Sequence, residues 1–219
     1  MYVALPPTAP APAPGIVLLP PIFGIEPVVR ALADRYAARG FAVVVPNQFR
    51  RDAEPDVMDR TDDGRKRALA RAARVDVDAI LDDVRTTVAE LRALPQCGGD
   101  VAVLGFCFGG RYAFLAAARL DVQAAAAFHG VQIGRHLDDA PRVHAPLSLH
   151  FGADDALTPK TEVDAIADAL RDTPDAAIFT YPGATHNFAI PGVPGYDATV
   201  AGLAEERVFA VFDRLKRRG

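Results

Sequence analysis

The chain has 219 residues, half of them hydrophobic and 24% charged, which suits a globular protein with a sizeable core. Its net charge of −4 comes with basic residues scattered along the chain. That offers no basic stripe for nucleic acid, and no apolar run approaches the roughly 18 residues of a membrane span.

The N-terminus lacks the basic segment and the long apolar segment of a secretory leader. Two cysteines, Cys97 and Cys107, are too few for a disulfide framework, and a reducing cytoplasm is the simplest setting for a catalytic thiol.

In chain order, Tyr2–Leu5 reads as a short edge strand and Pro6–Pro14 as an extended, polyproline-like connector. Ile16–Leu19 has the unbroken apolar run of a buried parallel strand and ends in the loop Pro20–Gly24. Pro27 suits the first turn of a helix to about Arg39, with Gly40 as its C-cap. Phe41–Val45 is the next strand, closed by Pro46, and Asn47–Asp63 is polar and irregular. Helical character resumes at Gly64 with Arg65–Arg71. It returns with Val77, Ile80, Leu81, Val84, Val88 and Leu91 at three- and four-residue spacing, until Pro95.

Gly98-Gly99 leads into the strand Val101–Leu104, and a helix covers Tyr112–Leu120. Then come the strands Ala124–His129 and Pro146–Phe151, a helix from about Lys160 to Leu170, and the strand Ala177–Tyr181. A closing helix spans roughly Tyr196–Leu215. This alternation predicts an α/β fold with a mostly parallel sheet and helices on both faces. With no repeat and no second core, residues 1–219 read as one domain.

The densest signal is Leu104-Gly105-Phe106-Cys107-Phe108-Gly109-Gly110, which joins a strand directly to a helix. Gly-x-Cys-x-Gly in that context has the form of a nucleophile elbow, with cysteine in place of serine. The nucleophile of such a turn sits in strained backbone, and the residues two before and two after it lie too close for a Cβ. The helix behind it favours a thiolate and, later, an oxyanion. A P-loop fails for want of Lys-Ser/Thr, and the glycine spacing does not fit a dinucleotide loop. A glycine-rich turn around a buried structural cysteine is the competing reading unless a base and an acid follow.

Both follow, in the order acid then histidine that the elbow fold uses. Phe151–Pro159 carries the adjacent acids Asp154 and Asp155, and Pro182–Phe188 carries His186. Asp155 is read as the acid, with Asp154 as a helix cap or loop brace. His129, His136, His144 and His150 read as structural or surface, although His129 and His150 lie near strand ends. No His-x-x-x-His or Cys-x-x-Cys pattern suggests a metal. An oxyanion hole needs two backbone N–H groups. Phe108 would give one and Ile22 the other, because Pro20 and Pro21 have none.

Pro21-Ile22-Phe23-Gly24-Ile25, Gly105–Gly110, Gly152-x-x-Asp155 with Pro159, and Gly183-x-x-His186-x-Phe188 together resemble the dienelactone hydrolase family. The resemblance runs in order across nearly the whole chain. It implies an α/β-hydrolase fold, no cofactor, a Cys107–Asp155–His186 triad, and Ile22 and Phe108 as hole donors. Family members carry a glutamate where this chain has Pro21, and two arginines that hold a substrate carboxylate. One arginine corresponds to Arg65 by an ungapped count; the other position is Ile190. The expectation is a cytoplasmic, monomeric hydrolase that opens a small-molecule lactone or ester through a cysteine thioester. The alternative is a non-catalytic relative whose pocket binds a small molecule or a protein partner.

Overall fold

The computed structural model describes residues 1–7 and 12–217, and its strands form a single seven-stranded sheet. The elements are β1 (Tyr2–Ala4), β2 (Ala13–Leu19), α1 (Pro27–Ala38), β3 (Ala42–Val45), α2 (Asp62–Arg74), α3 (Val77–Arg92) and β4 (Cys97–Phe106). After them come α4 (Phe108–Arg119), β5 (Ala124–Phe128), β6 (Leu147–Gly152), α5 (Lys160–Ala169), β7 (Ala176–Tyr181) and α6 (Ala198–Phe212). The strand order is β1-β3-β2-β4-β5-β6-β7. Only β1 is antiparallel to its neighbour; the remaining pairs are parallel. None of the described helices is long and apolar enough to cross a membrane.

Successive residues of a strand point to opposite faces, and the central strands are apolar on both. Ile16, Leu18, Val43, Val45 and Leu104 join the core beneath α1 and α6. Their neighbours Val17, Leu19, Val44 and Val103 join the core beneath α3 and α4. A fully buried side chain of this size stabilises the fold by about 1.5–3 kcal/mol, so burial on both faces dominates the strands' preference over their local propensity. β5 is alanine-rich (Ala124–Ala127) and wholly buried. Small side chains there let α4 lie close to the sheet.

Several boundaries move from their sequence-based positions. Pro14, read as part of a connector, lies inside β2, at a register shift between Ala13 and Gly15 against β4. A missing N–H is tolerated at such an irregularity. The connector's residues 8–11 lie outside the described residues. α2 starts at Asp62, because Thr61 caps it by accepting from the Gly64 amide through Oγ1 at 3.1 Å. β4 already includes Gly98 and Gly99, and α4 begins immediately after Cys107. α6 ends at Phe212, with a separate 3-10 turn at Leu215–Arg217. Short 3-10 turns over Ile133–Arg142, interrupted at His136, had no helical or strand signal to announce them.

Candidate active site

Parallel strands bring their carboxyl ends to one edge of the sheet, and ligands of such folds bind where the strand order reverses. Here the chain passes from β2 outward to β3 and then back across to β4. The loop after β2 and the turn after β4 therefore meet at the reversal. Ile22 lies on the first and Cys107 on the second.

Cys107 alone separates β4 from α4, with φ 51° and ψ −114°. That left-handed conformation is strained for a residue with a side chain, and backbone bonds hold it there. Its N–H donates to the Phe128 carbonyl at 3.0 Å, and its carbonyl accepts from Gly110 at 2.9 Å and Val131 at 3.2 Å. The flanking glycines are required. A Cβ on Gly105 would stand 2.3 Å from the Gly109 carbonyl oxygen, and one on Gly109 would stand 2.2 Å from that of Leu19. Cys107 is 8% exposed at the N-terminus of a twelve-residue helix, where the helix dipole favours negative charge.

The loop after β6 separates its two acids by burial. Asp154 is exposed, whereas Asp155 is buried. One Asp155 oxygen accepts from the Leu157 amide at 2.8 Å, and the other lies 2.7 Å from His186 Nδ1. The carboxylate is thus fixed from both sides and sets the imidazole's orientation. Burial opposes a charge on His186, but hydrogen bonding to Asp155 and to Cys107 outweighs it and raises the pKa to about 9. His186 Nε2 is buried and makes no hydrogen bond of good geometry.

The Ile22 and Phe108 amides donate to no acceptor among the described residues, so both N–H groups are available. The Phe108 ring stacks on Phe49 with centroids 5.0 Å apart. The Ile22 carbonyl accepts from Arg71 Nη2 at 2.8 Å, while Arg71 Nη1 donates to the Pro55 carbonyl at 2.6 Å. The Arg71 guanidinium also lies 3.8 Å from the centre of the Phe49 ring. In the sequence Arg71 is one of several arginines on a helix. Its signal was spacing: Gly64, Ala68 and Arg71 are the buried positions of α2, and they fall on one face at helical intervals.

Arg65, the arginine selected by counting, is exposed on α2, and no side-chain hydrogen bond or ion pair of its own is formed among the described residues. Ile190 is fully buried in the core beneath α1 and α6. The two positions thus present no paired guanidinium to the site. A cavity of about 230 Å³ lies alongside, lined by residues including Gln48, Phe49, Arg51 and Arg74. Cys107 is not among its lining residues, and the link to the site is Phe49, through its stack on Phe108.

The remaining histidines separate clearly. His144 is exposed. His150 is buried with both nitrogens occupied, by Ser148 Oγ at 2.8 Å and Tyr181 Oη at 2.8 Å. Its burial, with nearby Arg207, pulls its pKa down to about 3. His129 is different: it packs edge-to-face on His186, with ring centroids 4.7 Å apart.

Comparison with known proteins agrees with this architecture. The dienelactone hydrolase family model matches residues 1–216. The chain belongs to the dienelactone hydrolase family. It is 32% identical over 200 residues to a carboxymethylenebutenolidase of Pseudomonas putida, covering 91% of this chain and 85% of that one. A carboxymethylenebutenolidase of Rhodococcus opacus is 34% identical over 212 residues, covering 91% and 80%. The crystal structure of a Klebsiella pneumoniae protein described as a dienelactone hydrolase superposes with a TM-score of 0.87. It is 26% identical, with 97% of this chain and 91% of that chain covered. The fold is the α/β-hydrolase fold, and the family's activity is hydrolytic.

Proposed function

We propose that the protein hydrolyses a small ester or lactone, with Cys107 as nucleophile, His186 as acid and base, and Asp155 as the group that orients His186. The contact that carries this reading is His186 Nδ1 on Asp155 at 2.7 Å, beside a strained cysteine at a helix N-terminus. The sulfur attacks the carbonyl carbon, and the oxygen's developing charge meets the Ile22 and Phe108 amides. His186 gives its proton to the leaving oxygen, which leaves an acyl group on sulfur. Water then adds to the thioester, its proton passes to His186, and the carbon–sulfur bond breaks.

The relatives' name denotes opening of a lactone that bears a carboxylate. In this chain Arg65 is exposed and Ile190 is buried in the core. Neutral esters and lactones are therefore the better substrates in this reading. In this reading the enzyme works as a monomer in the cytoplasm, where a catalytic thiol stays reduced.

Mixing with p-nitrophenyl acetate should release a stoichiometric burst of p-nitrophenolate and leave an acetyl group on Cys107, seen by peptide mass spectrometry. A protein that binds such ligands without a burst, or acetylates elsewhere, would be the non-catalytic relative instead.

A further inference from the structure

Arg71 is the arginine of α2 that the fold buries completely. Arg67 and Arg74, one turn to either side, are about half exposed and pair with Glu54 and Asp52. Arg71 forms no ion pair among the described residues, and its Nε has no hydrogen-bond partner there. Burial opposes its charge and draws its pKa down, despite the nearby carboxylates of Asp52, Glu54 and Asp56. An apolar side chain of similar volume in place of a buried charge is often neutral or stabilising. Stability alone therefore does not call for a guanidinium at this position.

What the guanidinium touches is the frame of the oxyanion hole. Pro21–Gly24 is a turn closed by the Gly24 amide, which donates to the Pro21 carbonyl at 3.1 Å. That bond fixes the peptide that carries the Ile22 N–H. The next peptide is held by Arg71, whose Nη2 donates to the Ile22 carbonyl at 2.8 Å. Both peptide planes that meet at Ile22 are thus pinned, and with them the direction of its N–H. Arg71 Nη1 donates to the Pro55 carbonyl at 2.6 Å, where the run after β3 passes against this turn. The passage is close: a Cβ on Gly24 would stand 2.0 Å from the Asp56 carbonyl oxygen. The guanidinium carbon also lies 3.8 Å from the centre of the Phe49 ring, and Phe49 stacks on Phe108 at 5.0 Å. One planar group therefore contacts the carbonyl of one donor residue and the ring that packs on the side chain of the other. A guanidinium can fork to two carbonyls and stack on an aromatic face at once, which an ammonium cannot.

We propose that Arg71 is a positioning residue for the oxyanion hole, holding the Ile22 and Phe108 amides at the spacing that the tetrahedral intermediate needs. The proposal rests on the reading of Cys107 as nucleophile and of those two amides as hole donors. Arg71 acts through Ile22 and Phe49 and touches no reacting atom. Such a hole works because its donors are in place before the charge develops, and they are aimed at the oxyanion rather than the ground-state carbonyl. Loosening the frame should therefore slow acylation while leaving substrate affinity and the thiol itself nearly untouched.

Two reactions of one thiol separate these effects. Acetylation by p-nitrophenyl acetate passes through an oxyanion, whereas iodoacetamide loses iodide from carbon to the sulfur and forms none. Removing a hole donor outright costs about 10²–10³ in rate, so in Arg71→Met, where the donors are loosened, the burst rate should fall about tenfold. The ester concentration for half-maximal burst rate, and the rate of iodoacetamide inactivation, should stay within about twofold of wild type. A trifluoromethyl ketone, which adds to the thiol to give a stable oxyanion, should lose affinity by the same factor as the burst rate. Arg71→Lys keeps the charge but not the fork, and should show the same pattern at about threefold. It carries the test if Arg71→Met does not fold. A wild-type burst rate in Arg71→Met, or in Arg71→Lys where only that variant folds, would overturn the proposal. So would burst and alkylation slowed by one common factor, the mark of general loosening around Cys107. A wild type that is alkylated at Cys107 but gives no burst would instead remove the reading on which the proposal stands.

Discussion

The two sides of the candidate site are built in opposite ways. One side comes from the carboxyl ends of β4 to β7, where Cys107, His129 and Asp155 are buried within a few residues of a strand. The other is the stretch from Asn47 to Arg74, a long irregular run followed by α2 and rich in arginine. Arg50 and Arg51 pair with Asp83, Arg67 with Glu54, Arg74 with Asp52, and Arg60 with Glu26. Chemistry demands fixed distances, which short loops on a packed sheet supply. Ligand selection tolerates a looser wall, and mobile surface loops commonly carry it. Arg71 belongs to the second side but behaves like the first. It is buried and ties that wall to the loop carrying Ile22.

The largest expected effect is on the rigid side. Cys107→Ala should lower kcat by about a thousandfold or more, the scale on which removing a nucleophile acts. Cys97→Ala, at the opposite end of β4, should change it by less than about twofold. Equal losses, read from ester hydrolysis, would show that the thiol at the elbow is not special. Asp155→Asn comes next, with a fall of about 10²–10⁴ in kcat as the imidazole loses its orienting partner. Asp154→Asn should leave kcat unchanged, because that side chain points to solvent. A reversed order between the two acids would break the assignment.

The looser side should respond less. Arg71→Met removes the charged donor from the Ile22 and Pro55 carbonyls, and a hydrogen bond from a charged group contributes about 1.5–3 kcal/mol. Its urea midpoint should fall, and kcat should fall with it as Ile22 loosens. Arg65→Ala should change stability by no more than about 0.5 kcal/mol, the usual range for an exposed residue. Its KM for neutral esters should also stay constant. A tenfold rise in KM confined to carboxylate-bearing lactones would show that Arg65 swings in as an anion clamp, and the irregular side would then select by charge.

How much of this could be read from residues alone follows the same division. Gly105 and Gly109 were legible because the turn leaves no room for a Cβ, a demand written into the sequence itself. The sheet and its two helical layers were legible from two-faced apolar strands alternating with helices. Asp155 and Asp154 are chemically identical neighbours, and only the fold buries one of them. Arg65 came from a count that carries register along a helix but not the face a residue presents. Arg71 required knowing that the buried face of α2 meets the loop after β2. His129 stood at a strand end in the sequence, but its contact with His186 joins residues 57 positions apart. No local pattern encodes that.

The last test is of pH dependence, and it compares two imidazoles shifted in opposite directions. His186 has its pKa raised to about 9, above the roughly 6.5 of an unfolded histidine. The folded state then binds the extra proton, so this stabilisation is complete below about pH 6.5 and is lost as pH rises toward 9. His150 has its pKa lowered to about 3. Its contribution is complete above about pH 6.5 and is lost as pH falls toward 3. Thermal melts of wild type against His186→Gln should therefore diverge below neutrality and converge by about pH 9. Melts against His150→Gln should converge on the acid side instead. NMR of the His186 ring gives the direct measurement: titration near 9 in wild type, and lower in Cys107→Ala, where the sulfur's contribution is gone. A wild-type ring titrating near 6.5, unmoved by removal of the sulfur, would mean that Cys107 and His186 do not act as a pair in the resting protein.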